Sequence, residues 1–255
     1  MPYHATFLRG DNTLRWAIFL AGFWAMAASA TDAQPEVRLY VMDVPPYAMT
    51  GSGRHGIVGD VALEALRRAD FQAKVIETPN ARALHDVPQL SNALIVPLAR
   101  LKTREENFTW VAQIITAERA FFTLDKKVAS FAAAKKQFKA IGVERGSAAY
   151  AILKAHGFAD DQLVDVTLDA MAPKMLRAGR IDAWFGVVHT GGESGQDLVE
   201  SAVRGASTEQ YLGCSKDCDA VLVKKLADAV KAMEAEGTID KIVDGYEGET
   251  GVAKR

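Results

Sequence analysis

Residues 139–157 read KAIGVERGSAAYAILKAHG. KAIGV is a short apolar strand, Ser147 stands where a helix N-cap belongs, and AAYAILKAHG runs as a helix stopped by Gly157. A strand passing through a tight turn into a helix is the unit from which parallel sheets are built. The unit recurs on both sides of this stretch. Downstream, LVDV (163–166) is a strand, Asp169 caps the helix DAMAPKMLRAG, and IDAWFGV (181–187) is a strand again. Upstream, EVRLYVMD (36–43) is a strand broken by Pro45-Pro46, which leads through an extended turn to Tyr47. VGDVALEALRRAD (58–70) carries Val61, Leu63, Leu66 and Ala69 at helical spacing; AKVIET (73–78) and NALIVPL (92–98) are strands around a short helix, ARALHDV, closed by Pro88. After TWVAQIITAERAFFTL (109–124) the pattern restarts. Two βα series therefore predict two α/β lobes. Leu222, Leu226, Val230 and Met233 mark a later amphipathic helix ending at Gly237, followed by a short helix TIDKIVDGY; the polar tail beyond Tyr246 reads as irregular.

At 255 residues, with 49% apolar and 24% charged, the chain has ample material for a core and is not disordered by composition. Thirty basic against 32 acidic side chains leave a formal charge of −2 and no basic stripe, which argues against nucleic acid as partner. The five histidines (His4, His55, His85, His156, His189) have no ligand-like spacing, so no metal site is expected.

Arg9 and Arg15 precede the apolar run WAIFLAGFWAMAA (16–28), and small residues follow. That order is a secretory signal peptide over residues 1–33, with cleavage after Ala30 or Ala33. Thirteen apolar residues fall short of the ~20 that cross a bilayer. The mature chain is thus expected in the periplasm, and no cysteine near the cut indicates a lipid anchor. In an oxidising compartment Cys214 and Cys218, four apart in YLGCSKDCDA, read as a local disulfide.

Two motifs are decoys. Gly51-Ser52-Gly53-Arg54-His55-Gly56 fits the dinucleotide fingerprint, with Glu77 about 20 residues on. That mechanism needs the first glycine directly after the strand, whereas Val44 to Thr50 intervene here, so the segment reads as a loop and no cofactor is expected. Gln196 occupies the second glycine position of a nucleophile elbow in GESGQ. The paired acids Asp160-Asp161 and Glu105-Glu106 stand in polar surroundings and read as solvated. Nothing in these motifs demands catalysis.

What remains points to an anionic small molecule. Arg100 and Arg104 follow a buried strand, at the end where α/β folds place ligands, and a guanidinium fork matches a carboxylate. Gly146-Ser147 opens a helix whose free amides and dipole favour an oxyanion. Tyr47, after two prolines, presents a stacking surface.

The ordered segments PPY (45–47), GIVGDVALEALRRA (56–69), RLKTREENFTWV (100–111), IGVERGSAAYAIL (141–153), MLRAGRIDAW (175–184) and KLADAVKAMEAEGTIDKIVDGY (225–246) resemble the bacterial solute-binding proteins of family 3, the amino-acid-binding type. The resemblance spans nearly the whole mature chain. It implies a two-lobed, type II periplasmic-binding fold with a hinge and an interlobe cleft: lobe 1 from residues 34–116 plus 208–255, lobe 2 from 117–207. It also implies C-terminal helices packed on lobe 1, and a monomer delivering ligand to an ABC permease. By the same resemblance Tyr47 stacks on ligand, Arg104 grips the carboxylate and Gly146-Ser147 assists. The chain departs from the family in having Arg100-Leu101-Lys102-Thr103-Arg104 where T-x-x-R is usual, so it resembles a divergent R-T-P-E-R subgroup in which Arg100 competes with Arg104. The family's ammonium-holding aspartate, counted from Asp182, falls on Val187, between Gly186 and Val188. With that partner missing, the expected ligand is a carboxylate bearing an apolar or aromatic part, packed by Tyr47 and Trp184; Trp184 faces either cleft or core. Asp43 or Glu193 would have to replace the lost aspartate if an amino acid bound. Two other readings stay open, an enzyme of dehydratase type on this scaffold and a sensing module for a membrane receptor. The enzyme would need an acid or base in the cleft, which these motifs do not offer.

Overall fold

The computed structural model describes residues 1–4, 34–51, 53–166, 171–188 and 197–250, with the side chains of residues 247–250 left aside. The signal-peptide segment, the Asp169 cap and Glu193 lie outside the described residues.

From Gln34 the chain builds two five-stranded mixed sheets. In the first, β1 (Glu36–Val41) is flanked by β2 (Gln72–Glu77) and β3 (Ala93–Ala99), both parallel to it. Then β10 (Thr208–Ser215) inserts antiparallel between β3 and β4 (Phe108–Ala117), giving the order β2-β1-β3-β10-β4. In the second, β6 (Ile141–Val143) lies parallel to β7 (Leu163–Asp165) and β8 (Ala183–Val187), while β5 (Arg119–Thr123) runs antiparallel between β8 and β9 (Val199–Ala202). Two short connections join the sheets: Glu118 alone between β4 and β5, and residues 203–207 between β9 and β10. This is the type II periplasmic-binding-protein fold expected from the sequence.

Helix α1 (Gly56–Arg68) buries Ile57, Val58, Val61, Ala62, Ala65 and Leu66 against the first sheet. Its inward stripe starts a turn earlier than the sequence spacing suggests, and Leu63 is only half-buried. Between β1 and α1 the glycine cluster forms a loop: Gly51, Gly53 and Gly56 all have positive φ, and a bridge pairs Val44 with Ala48. The strand and helix are thus separated by more than a tight turn, which removes the geometry a dinucleotide pyrophosphate needs.

Helices α2 (Asn80–Asp86), α3 (Phe131–Gln137), α4 (Ala148–Ala155) and α5 (Ala172–Arg177) follow strands in the βα pattern. The last two, α6 (Ala220–Ala235) and α7 (Thr238–Thr250), return to the first sheet. Leu222, Leu226, Val230 and Met233 of α6 and Ile239, Val243 and Tyr246 of α7 join one core with α1. The Tyr246 hydroxyl donates to Asp60 Oδ2 at 2.5 Å, and the Arg54 guanidinium sits 3.8 Å above its ring. Burial, then the Asp60 carboxylate, pushes the Tyr246 phenol up to about 12. The helix therefore continues to Thr250, past the point where the sequence reads as irregular, because Tyr246 locks its final turns to α1. The second sheet has cores on both faces. Phe121, Phe131, Phe138, Phe158 and Phe185 cluster on one; Phe122 and Trp184 stack at 4.6 Å on the other.

Cys214 and Cys218 form a disulfide that ties the end of β10 to the start of α6. Nearby, Asp219 caps α6 through the Val221 and Leu222 amides, and its own amide donates to Asn92 Oδ1 at 2.7 Å. A loop this short should add roughly 2 kcal/mol by restricting the unfolded chain. Reduction is expected to lower the melting temperature by roughly 4–8 °C at that magnitude for a chain of this size. Thermal scans with and without reductant that coincide would show the bond to be energetically idle.

Candidate functional site

A cavity of about 500 Å³, counting its open mouth, lies between the two sheets. Its walls come from carboxyl ends of strands: Met42 and Val44 after β1, Pro97 and Ala99 on β3, Glu144 after β6, Gly186 and Val187 on β8. That is where parallel sheets leave space for ligands.

Arg104 is the sequence-predicted residue that the cavity holds most clearly. A 3-10 turn over Lys102–Arg104 follows β3 and aims the side chain inward. Its Nη1 donates to Ala99 O at 3.2 Å on its own sheet, and its Nη2 donates across the cavity to Gly146 O at 3.3 Å. These bonds use two of five guanidinium donors, which leaves three for a ligand. Burial, then the charge of Arg119, lowers Arg104 to about 10, with Glu144 pulling the other way; it remains a cation at neutral pH.

Gly146 and Ser147 sit opposite. Gly146 takes φ +77° at the turn, and Ser147 caps α4 by accepting from the Tyr150 amide at 3.1 Å. Ser147, Ala148 and Ala149 line the cavity, so the amino end of α4 faces it. First-turn amides lack intrahelical acceptors and carry the positive end of the helix dipole. An oxyanion between Arg104 and this turn would meet donors from both sides.

The other candidates lie elsewhere. Arg100 points away, its Nε donating to Glu105 at 2.9 Å and its Nη1 to the Tyr211 hydroxyl at 3.2 Å, over the Trp110 and Tyr211 rings. It is no part of the cavity wall, and its bonds to Glu105 and Tyr211 push its pKa up. Tyr47, expected as an exposed stacking surface, is 4% exposed inside the first core, and burial raises its phenol. The turn after Pro46 is pinned to the start of α1 by Val58 N donating to Tyr47 O at 2.7 Å, which sends the ring inward. Trp184 is fully buried. A side chain on Gly186 would lie 2.4 Å from the indole, so the ring folds over Gly186 instead of entering the cavity. Asp43 is exposed and outside the lining, and Asp182 accepts from the Lys139 and Ala140 amides at 2.7 and 3.0 Å.

Two charged residues in the wall were not singled out from sequence. Arg119, 6% exposed, heads β5; its Nη1 donates to Thr208 Oγ1 at 2.5 Å and Ala117 O at 3.4 Å, the strand ends beside the two inter-sheet connections. Gln210, also lining the cavity, donates to the same hydroxyl at 2.8 Å. Glu144 is the second. It supplies the cleft carboxylate that the sequence motifs lacked. The exposed acids behave as expected: Asp160 pairs with Lys154 and Glu105 with Arg100. Among the described residues no three His, Cys, Asp or Glu side chains gather as a metal site would require, and no helix is long and apolar enough to cross a membrane.

No protein-family model matches the chain, and no curated protein matches it in sequence. Solved structures do share its fold. A Streptococcus pneumoniae ABC uptake transporter substrate-binding protein with bound histidine is 17% identical with a TM-score of 0.71, covering 86% of this chain and 95% of its own. EhuB in complex with hydroxyectoine is 20% identical with a TM-score of 0.72, covering 84% and 88%. A histidine kinase sensor domain similar to periplasmic binding proteins is 15% identical with a TM-score of 0.73, covering 84% and 96%. The fold is that of the amino-acid- and solute-binding proteins.

Proposed function

We propose that this protein is an exported solute receptor that captures a small carboxylate-bearing molecule between its lobes and hands it to an ABC permease. The observation that carries the reading is Arg104, reaching from the first sheet across a cavity to Gly146 at the amino end of α4. Residues 1–33 act as the signal peptide, and the mature chain works as a periplasmic monomer. Residues 34–116 with 208–255 form one lobe and 117–207 the other, closing about Glu118 and residues 203–207. In this reading Ser147 and Gly146 assist Arg104, Arg100 braces the outer face of lobe 1, and Tyr47 and Trp184 shape the walls from behind.

The strand position at which the family resemblance implies an ammonium partner is Val187, in the cavity wall beside Gly186. The wall's one carboxylate among the described residues, Glu144, already acts on Arg104, and a buried ammonium without a partner of its own costs several kcal/mol. Organic acids are therefore expected to bind better than common amino acids. Mass spectrometry of small molecules released from purified protein, with a calorimetric screen of the twenty amino acids against aromatic and short-chain organic acids, tests this. Micromolar binding of glutamine, arginine or histidine with organic acids silent would defeat it.

The likeness to a histidine kinase sensor domain favours a second reading, in which the same ligand is sensed rather than imported. Permease and ATPase genes beside this one support uptake; a lone kinase gene supports sensing. Glu144 also gives the dehydratase alternative a carboxylate, so the screen includes a check that bound acids are recovered unchanged.

A further inference from the structure

We propose that Arg119 and Glu144 set the charge of the ligand, and that the cavity selects a monoanion over both zwitterions and dianions; this rests on the carboxylate-receptor reading above. Among the described residues the cavity wall holds three charged side chains, Arg104, Arg119 and Glu144. They sum to one positive charge. Their fields overlap: Arg119 acts on Arg104 in one direction and Glu144 in the other. A net charge left inside a closed cleft is costly, so the favoured guest is the one that brings the sum to zero.

A zwitterion adds nothing to the sum and leaves the cavity at plus one. Its ammonium would also compete with two guanidiniums for the single carboxylate. A dianion overshoots to minus one. A monoanion closes the balance, with its oxyanion between Arg104 and the first turn of α4 and its remainder against Met42, Val44, Pro97 and Val187. Arg119 cannot swing away to relieve the charge, because its Nη1 is held by Thr208 Oγ1 and Ala117 O. The Glu144 backbone is placed by its carbonyl accepting from the Ser147 amide at 3.2 Å in the turn that opens α4. The two guanidiniums are therefore fixtures of the wall, and the Glu144 residue is rooted in the turn beside them.

The test uses full mature protein and three probe sets in calorimetry at pH 7: benzoate, phenylacetate and butyrate; succinate and glutarate; phenylalanine and glutamine. Wild type is expected to take a member of the first set best. Glu144→Gln keeps the shape and removes the charge, so the ratio of dianion to monoanion affinity should rise at least about tenfold. Glu144→Asp should restore the original order. An unmoved ratio in a Glu144→Gln variant that still binds would overturn the charge rule, as would a wild-type preference for succinate or for an amino acid lost on that substitution. Silence of wild type toward all three sets overturns the receptor reading itself, and this inference with it.

Discussion

Arg104→Ala is expected to weaken ligand binding by about 2 kcal/mol or more, the scale of a charge-assisted fork to a carboxylate. The guanidinium projects into the cavity with three donors to spare, and the other cation of the described wall, Arg119, is held on Thr208 and Ala117. Its loss also strips the Ala99 and Gly146 carbonyls of their donor. Arg100→Ala should do far less, because that side chain lies outside the cavity wall and spends its charge on a half-exposed pair with Glu105. Titration of both variants with whichever ligand wild type retains separates the two. The reverse ranking would transfer the carboxylate role to Arg100, and no effect from either would end the arginine account.

Gly56→Ala should destabilise the protein by about 3 kcal/mol or more, with a fall in melting temperature of roughly 6–12 °C. The residue has φ +77°, and an added Cβ would lie 2.5 Å from Ala48 Cα, 2.7 Å from Ala48 N and 2.8 Å from Pro46 O. All three are backbone atoms, so no side chain can rotate aside. The loop cannot retreat cheaply either, since Ile57 N and Val58 N donate to Pro46 O and Tyr47 O at 2.9 and 2.7 Å. Gly51→Ala is the control, with φ +71° but open space around it. Its cost should be near 1 kcal/mol, from the backbone preference alone. Equal melting temperatures for the two variants would refute the steric argument.

The alternation of strands and helices was legible because each βα unit carries its own punctuation: Ser147 before α4, Gly157 after it, Pro88 closing α2. The inward stripe of α6 was legible for the same reason, being regular and uninterrupted. β10 was not. It begins polar, shifts register once against β3 and twice against β4, and carries near its end a cysteine, Cys214, that draws attention to covalent chemistry instead. Its place between β3 and β4 depends on partners far away in the chain, which local pattern does not encode. In the site, Arg104 was visible as an arginine beyond a buried strand. Arg119 was not, since one charge at the head of RAFFT reads as a surface residue until Ala117 and Thr208 are seen to receive it. Glu144 and Arg145 are adjacent and only backbone geometry decides between them; Arg145 turns outward to Asp165, and Glu144 turns in. For Trp184 the deciding neighbour is Gly186, whose missing side chain offers the indole a seat.

The position of β10 has a bearing on how the chain matures as it is made. All five strands of the second sheet lie within residues 119–202 and can assemble from one uninterrupted stretch. The first sheet cannot. Its interior strand, β10, arrives at residues 208–215, and the helices that cover it later still. During vectorial emergence β1, β2 and β3 must wait with an open edge on β3, and β4 must wait apart from them, until some ninety further residues have appeared. An unpaired apolar edge is a site for wrong partners, and long-range closure is the slow step in sheet assembly. The stretch that builds the second sheet is thus complete before the first sheet can close, and closure waits for a C-terminal strand to enter between two N-terminal ones.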